Sequence, residues 1–120
     1  MSIKNGFSKL ALALLLSAPA MAMAIGAIAV DDEEGSDEPG YGFVSGYDSK
    51  EAARKAALGE CKKAGNDDCQ VVLWFETCGA YAASEKFYGT GWGATLAKAE
   101  GMALEKCGDK SCKVVVSDCE

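Results

Sequence analysis

The sequence contains the stretch Cys69-Gln70-Val71-Val72-Leu73 and, later, the similar stretch Cys112-Lys113-Val114-Val115-Val116. Each follows an alanine-rich segment that opens on a hydroxyl residue, Ser49 or Thr95, and the two openings are 46 residues apart. Within both segments apolar residues recur at spacings of three and four, which is typical of an amphipathic helix behind a hydroxyl N-cap. The valine-rich runs are apolar on both alternating faces, which predicts strands in the middle of a sheet.

The same order of features extends on both sides of these stretches and indicates an internal duplication. Gly26-Ala27-Ile28-Ala29 matches Gly79-Ala80-Tyr81-Ala82, and glycine-aromatic segments lie at 40–47 and 87–93. All four segments are predicted to be strands. The prediction is weaker for the glycine-rich segments at 40–47 and 87–93, because glycine disfavours the interior of a strand. The expected fold class is therefore α+β: a duplicated β-β-α-β unit with six short strands, mainly in antiparallel sheet, packed by two alanine-rich helices and stapled by disulfides.

The N-terminal residues have the features of a secretory signal peptide: a basic start, the apolar run Leu10–Leu16 and small residues before a cleavage site. Cleavage is expected after Ala22 or Ala24, and the strand-like residues that follow favour Ala24. An uncleaved membrane anchor is the alternative, because Leu10 to Val30 is long enough to span a bilayer. The expected organisation is a signal peptide at 1–24 and one secreted domain at 25–120, with repeat one at 25–77 and repeat two at 78–120.

Composition excludes several classes of function. The chain has 120 residues, no histidine, a formal net charge of −6 and an isoelectric point near 4.7. Without histidine, a Ser-His-Asp triad and a His-ligated metal are excluded. A nucleic-acid partner is not expected, since phosphates would be repelled and no basic stripe is present. Loss of Lys4 and Lys9 with the signal peptide would take the charge to −8, and no cofactor is predicted.

The six cysteines form an even set in an exported chain, which predicts disulfides. No Cys-x-x-Cys pair is present, so a metal site is not expected. Because the duplication makes the cysteines equivalent in pairs, the local links Cys61–Cys69 and Cys107–Cys112 are expected, with Cys78–Cys119 stapling the two copies together. The rival pairing joins equivalent cysteines across the pseudo-symmetry, for example Cys61 to Cys107.

Four segments together resemble a bacterial secreted family, domain-of-unknown-function family 4189. They are Gly26-Ala27-Ile28-Ala29-Val30, the run Cys69 to Phe75, Cys78-Gly79-Ala80-Tyr81-Ala82, and Gly91-Trp92-Gly93-Ala94-Thr95. The resemblance covers the whole expected secreted domain. It implies a small exported domain without an agreed biochemical activity, so no catalytic residue is carried over.

Aromatic residues beside glycines are the strongest candidates for a binding surface, because aromatic side chains are favoured anchors of interfaces. The candidate binding residues are Trp92, Tyr88, Tyr41 and Tyr47. Core packing is the alternative for each aromatic residue, and it is the favoured interpretation for Trp74 and Phe75, which lie in a predicted strand.

These features predict an exported, non-enzymatic binding or inhibitory domain of the immunity or inhibitor type, periplasmic or secreted. Its partner is expected to be another protein, and a cationic one if the acidic run at 31–38 serves as a docking surface, because that run can attract basic surfaces. A solvated loop is the alternative for the run. The alternative function is a secreted effector or small carboxylate-dependent hydrolase, for which Glu76 is the single acid in an apolar run. A structural envelope component is a third possibility.

Overall fold

Both halves of the chain fold into the same β-β-α-β unit. The computed structural model describes residues 24–31 and 39–120. Its elements, in chain order, are β1 (Ile25–Asp31), β2 (Gly40–Tyr47), α1 (Lys50–Lys63), β3 (Gln70–Phe75), β4 (Cys78–Ala83), β5 (Tyr88–Gly93), α2 (Leu96–Cys107) and β6 (Lys113–Cys119). The strands form two antiparallel sheets with the orders β2-β1-β3 and β5-β4-β6. The predicted α+β class and the duplicated unit are confirmed.

The two helices begin at the hydroxyl residues that the sequence singles out. The Ser49 Oγ accepts a hydrogen bond from the backbone N–H of Ala52 at 3.1 Å, and the Thr95 Oγ1 accepts one from Lys98 at 3.2 Å. Each bond satisfies one of the N–H groups that the first helical turn leaves without a partner. At the other end of α2, Gly108 adopts a φ of 75° and donates its N–H to the Leu104 carbonyl, which closes the helix.

The elements stack in four layers, helix on sheet on sheet on helix. Alternate residues of β1 point to opposite sides, so Ala27 and Ala29 pack on α1 while Ile28 and Val30 pack toward the second sheet. The central strand β4 repeats this arrangement, with Ala80 and Ala82 on the α2 side and Tyr81 between the sheets. Small alanine side chains let each helix lie close to its sheet, and the larger side chains fill the space between the sheets.

The prediction that the valine-rich runs are central strands is wrong. β3 and β6 are edge strands, and the central strands are β1 and β4. The runs are apolar on both faces because a helix covers one side of each sheet and the other sheet covers the second side. Because both sides of each sheet are covered, apolar and polar residues do not alternate along β3 and β6, even though neither strand is central.

The cysteines pair as Cys61–Cys69, Cys107–Cys112 and Cys78–Cys119, the three pairs that the repeat argument predicts. The role expected for the third pair is wrong. Cys78 opens β4 and lies opposite the last residue of β6, so this bond joins two strands of one sheet and not the two copies. Only Glu76 and Thr77 separate β3 from β4, which places Cys78 inside the second copy.

Close approach of α2 to β5 depends on glycine. A Cβ atom at Gly91 would lie 2.1 Å from the carbonyl oxygen of Ala99 in α2. Gly91→Ala is therefore expected to lower the free energy of unfolding by about 1–3 kcal/mol. Gly101, an exposed residue of the same helix with open space around it, is the matched control.

Gly101→Ala is expected to raise the free energy of unfolding by about 0.5–1 kcal/mol, because alanine costs less backbone entropy in a helix. Chemical denaturation of both variants measures the difference. Equal stabilities for the two variants would contradict the close packing of α2 on β5.

Two sequence predictions fall outside the part of the chain that the structure describes. The signal peptide with its cleavage site lies before residue 24, and most of the acidic run lies in the connection between β1 and β2 at 32–38. Among the described residues, neither helix has the length and apolar character that crossing a bilayer requires.

Candidate functional site

The edge strand β5 presents one glycine face and one aromatic face. Gly89 and Gly91 lie against the backbone of α2, where a side chain would clash. Because successive residues of a strand point to opposite sides, Tyr88, Thr90 and Trp92 lie together on the other side. Tyr88 is 58% exposed and Trp92 is 47% exposed, so the aromatic face is accessible to solvent.

Thr90 and Trp92 of this aromatic face form one wall of a groove with a volume of about 590 Å³, and Tyr88 lies outside the groove lining. The opposite wall is β3 with the short turn that leads to β4, so the groove opens where the edges of the two sheets lie over one another. Leu73, Trp74 and the buried ring of Phe75 contribute apolar surface, and Glu76 lies at the turn. We refer to this site as the β3–β5 groove.

Each tryptophan of the β3–β5 groove carries a lysine ammonium over its ring. The Lys106 Nζ lies 4.4 Å from the ring centroid of Trp92, and the Lys50 Nζ lies 4.5 Å from that of Trp74. At these distances the ammonium groups interact favourably with the π faces and orient the rings. Glu76 is the one carboxylate among the residues that line the groove.

The β3–β5 groove has no equivalent chemistry in the other copy. Strand pairing makes Trp74 and Phe75 the counterparts of Ser117 and Asp118, because Ala27 and Gly26 in β1 correspond to Ala80 and Gly79 in β4. Similarly, Trp92 lies opposite Gly79, whereas the residues beside Gly26 at the same place in β2 are Ser45 and Gly46. The duplicated fold therefore does not itself require the exposed tryptophan surface that Trp74 and Trp92 supply.

The structure brings together only part of the predicted binding set. Trp92 and Tyr88 share the aromatic face of β5, while Tyr41 and Tyr47 lie on β2 in the other sheet. Both β2 residues are exposed, at 41% and 36%, but they contribute nothing to the β3–β5 groove. Tyr41 is the counterpart of Tyr88 in the duplication.

For Trp74 the sequence favoured packing in the core over a role in binding. It is half-buried, packs against the α1 side of its sheet and also lines the β3–β5 groove. A signal for this role was present in the sequence, since the corresponding position of the second copy holds a serine.

A second hollow lies between the β4–β5 turn and the loop after α2. The Ser84 hydroxyl accepts hydrogen bonds from the backbone N–H groups of Lys86 and Phe87, and the Asp109 carboxylate accepts from the hydroxyl and the backbone N–H of Ser111. The Ser111 bonds lower the pKa of Asp109 below its ordinary value. These polar groups stabilise their own turns, so the hollow offers little unsatisfied chemistry to a ligand.

No group of three or more cysteine, aspartate or glutamate side chains suited to holding a metal ion occurs within residues 24–31 and 39–120. All six cysteines are in disulfides. Three disulfides are typical of a protein that folds in an oxidising, extracytoplasmic compartment.

Comparison with known proteins assigns the chain to a family. The family model described as Domain of unknown function (DUF4189) matches residues 25–119, which includes every strand and helix of the fold. The chain belongs to this family. The resemblance expected from the sequence is thereby confirmed, and the match spans both copies of the duplicated unit.

Curated relatives are mycobacterial proteins. The chain is 42% identical over 62 residues to Protein Rv1269c and Protein MT1307 of Mycobacterium tuberculosis and to Protein Mb1300c of Mycobacterium bovis. In each case the match covers 52% of this chain and 48% of the relative, so the chain spans about half the length of the curated relatives it matches. No solved structure shows significant similarity to the chain.

Proposed function

We propose that this member of the DUF4189 family is an exported, non-enzymatic binding module of the inhibitor or immunity type, and that the β3–β5 groove is its contact surface. The observation that carries the proposal is the asymmetry of the duplication. Trp74 and Trp92 stand at positions where the other copy has small or polar residues. Exposed tryptophan that the fold does not require is characteristic of an interface anchor.

Binding accounts for the groove better than hydrolysis does. Carboxylate-dependent cleavage of a glycosidic bond uses two acids, one on each side of the scissile bond. Glu76 is the single acid among the groove-lining residues, and the exposed tryptophan surface is suited to contact instead. The hydrolase alternative remains open to a direct test, because turnover that is lost in Glu76→Gln would favour it.

The charge distribution supports a protein partner that is attracted from a distance. Residues 25–77 contain twelve of the eighteen acidic residues and five basic ones, whereas residues 78–120 contain six acidic and five basic ones. The acidic half would steer a cationic partner during encounter. The short-range contacts would be made by the nearly neutral second half, where the aromatic face of β5 lies.

Export is the second part of the proposal. Three disulfides favour an oxidising compartment, and the signal-peptide features of residues 1–24 agree with the periplasm or the extracellular medium as that compartment. A rigid disulfide-linked domain loses little conformational entropy on binding, which suits an inhibitor.

Trp92→Ala is expected to weaken binding of the protein partner at least about 30-fold, which corresponds to the roughly 2 kcal/mol typical of an interface anchor. The purified domain, immobilised, would be used to capture proteins from the envelope and secreted fractions of a bacterium that makes it. Affinity for the captured protein would then be measured for each variant.

Tyr41→Ala is the matched control, because Tyr41 is also an exposed aromatic residue of an edge strand but lies outside the groove. It should leave the affinity unchanged. Melting temperatures of both variants should stay close to that of the unmodified domain. A captured protein that binds Trp92→Ala as tightly as the unmodified domain would exclude the groove as the contact surface.

A further inference from the structure

We infer that the partner docks as an extended segment that adds a fourth strand to the second sheet at the free edge of β5. The inferred segment has apolar side chains at alternate positions and a carboxylate close to Trp92. This inference rests on the proposed function, since it specifies how a protein partner would occupy the β3–β5 groove.

The free edge of β5 is regular, whereas the other three edge strands are interrupted. In β3, Val72 has no partner in the pairing with β1, and in β6 Val115 has none in the pairing with β4. The pairing of β2 with β1 shifts register between Ile25 and Ala27. Among the described strands, β5 is the edge strand whose pairing runs without a shift, from Tyr88 to Gly93.

Such interruptions protect sheet edges, because a bulge disrupts the row of backbone groups that another strand would need. Charged side chains and proline serve the same purpose, and the sequence Tyr88-Gly89-Thr90-Gly91-Trp92-Gly93 contains neither, so the one charged group placed at this edge is the Lys106 ammonium that reaches the Trp92 ring from α2. The edge of β5 therefore offers backbone N–H and C=O groups in the geometry that strand addition uses.

The side chains of an added strand would alternate between the two faces of the second sheet. Every second side chain would point to the side that carries Tyr88, Thr90 and Trp92, and would enter the β3–β5 groove. The remaining side chains would lie along the flank of α2, which covers β5 more than it covers β4. On that flank the α2 side chains nearest to β5 are Met102, beside Gly91, and Lys98, beside Gly93.

A second copy of this chain does not fit the same edge. Direct pairing of two β5 strands would place them about 5 Å apart. Each β5 carries its own α2, and two packed helices need about 8–10 Å between their axes. A segment without a covering helix avoids this conflict, which is why the inferred occupant is an extended peptide.

Charge complementarity specifies one further feature of the segment. The Lys106 ammonium lies over the Trp92 ring, and the Lys98 side chain lies beside Gly93 at the end of β5. The Lys106 ammonium at this end of the edge favours a carboxylate in the docking strand at that end.

The test is selection of random linear peptides displayed on phage against the full domain, followed by synthesis of the selected peptides with single N-methylated amides. N-methylation removes one backbone donor and leaves the side chains in place. Strand addition predicts a period-two pattern, with binding lost when amides that face β5 are methylated and retained when the alternate amides are. Hydrogen exchange should show protection of β5 amides in the complex and no change in β2.

Lys106→Gln should weaken binding of acidic peptides about three- to fivefold more than it weakens binding of neutral peptides, as expected for the loss of one exposed ion pair. Peptides that lose affinity in Trp92→Ala but show neither the period-two pattern nor β5 protection would overturn the added strand while leaving the groove as the binding site. Peptides that are indifferent to Trp92→Ala would contradict the proposed function itself. A selection that yields no binding peptide would overturn the inference.

Discussion

Phe75→Ala is expected to lower the free energy of unfolding by about 3–5 kcal/mol. The Phe75 side chain is 2% exposed and lies between the two sheets, with its ring centroid 5.4 Å from that of Phe43. Its ring packs directly on Gly26 and Gly79, where an added Cβ would approach it within 2.3 Å and 2.4 Å. Removal of the ring leaves a cavity at the centre of the sandwich. Since a domain is stable by only about 5–15 kcal/mol, denaturant unfolding should shift strongly.

A double-mutant cycle makes the prediction specific to this contact. Gly79→Ala alone should destabilise by about 1–3 kcal/mol, because the new methyl group meets the Phe75 ring. In the Phe75→Ala background the same substitution should cost much less, since the three atoms nearest to a Cβ added at Gly79 belong to that ring. Additive effects of the two substitutions would show that the ring does not fill the space beside Gly79.

Replacing Cys78 and Cys119 together by alanine is expected to lower the free energy of unfolding by about 3–4 kcal/mol. The bond closes a loop with a sequence separation of 41 and therefore restricts the unfolded chain strongly. It also joins the first residue of β4 to the last residue of β6, so its loss should free the end of the second sheet first. Calorimetry and denaturant titration of the double variant measure the effect.

The matched control is the double alanine variant of Cys107 and Cys112. Its loop has a sequence separation of 5, so a loss of only about 2 kcal/mol is expected. If the short-loop variant proved the less stable of the two, loop closure in the unfolded chain could not be the main source of the stabilisation. Hydrogen exchange should then be used to locate the native packing responsible.

Much of the fold was predictable because its signals are local. A hydroxyl side chain at Ser49 or Thr95 caps a helix through a bond to the residue three positions later. The equivalence of the cysteines within the duplication favoured the pairing that the structure has, although it left the rival pairing open. The boundaries of β2 were predicted from glycine and aromatic residues alone.

The predicted position of a strand within its sheet was wrong where that position depended on packing against elements that are distant in the chain. Two apolar faces show that a strand is covered on both sides of its sheet. They do not show whether the strand lies at the edge or in the centre of that sheet. The same limit applied to Cys78, whose place at the start of β4 is set by the two-residue turn before it and by pairing with β6.

The binding site was predictable only in part for the same reason. Trp92 and Tyr88 are four positions apart along one strand, so their shared face follows from the two-residue period of a strand. Trp74 joins them only because the edge of the first sheet lies over β5. Tyr41 and Tyr47 have the same local context of glycine and aromatic residues, yet they lie on the other sheet and contribute to a different surface.

Local chemistry and the internal repeat were thus enough to predict the duplicated β-β-α-β unit and its helix caps, to exclude histidine chemistry, and to favour the three disulfides that form over their rival. The stacking of two sheets between two helices, the edge position of β3 and β5, and the groove between them emerge only when the copies pack. The physical reason is that burial between layers depends on contacts between residues distant in the chain, and neither the period of a strand nor the cap of a helix encodes which layer will cover it.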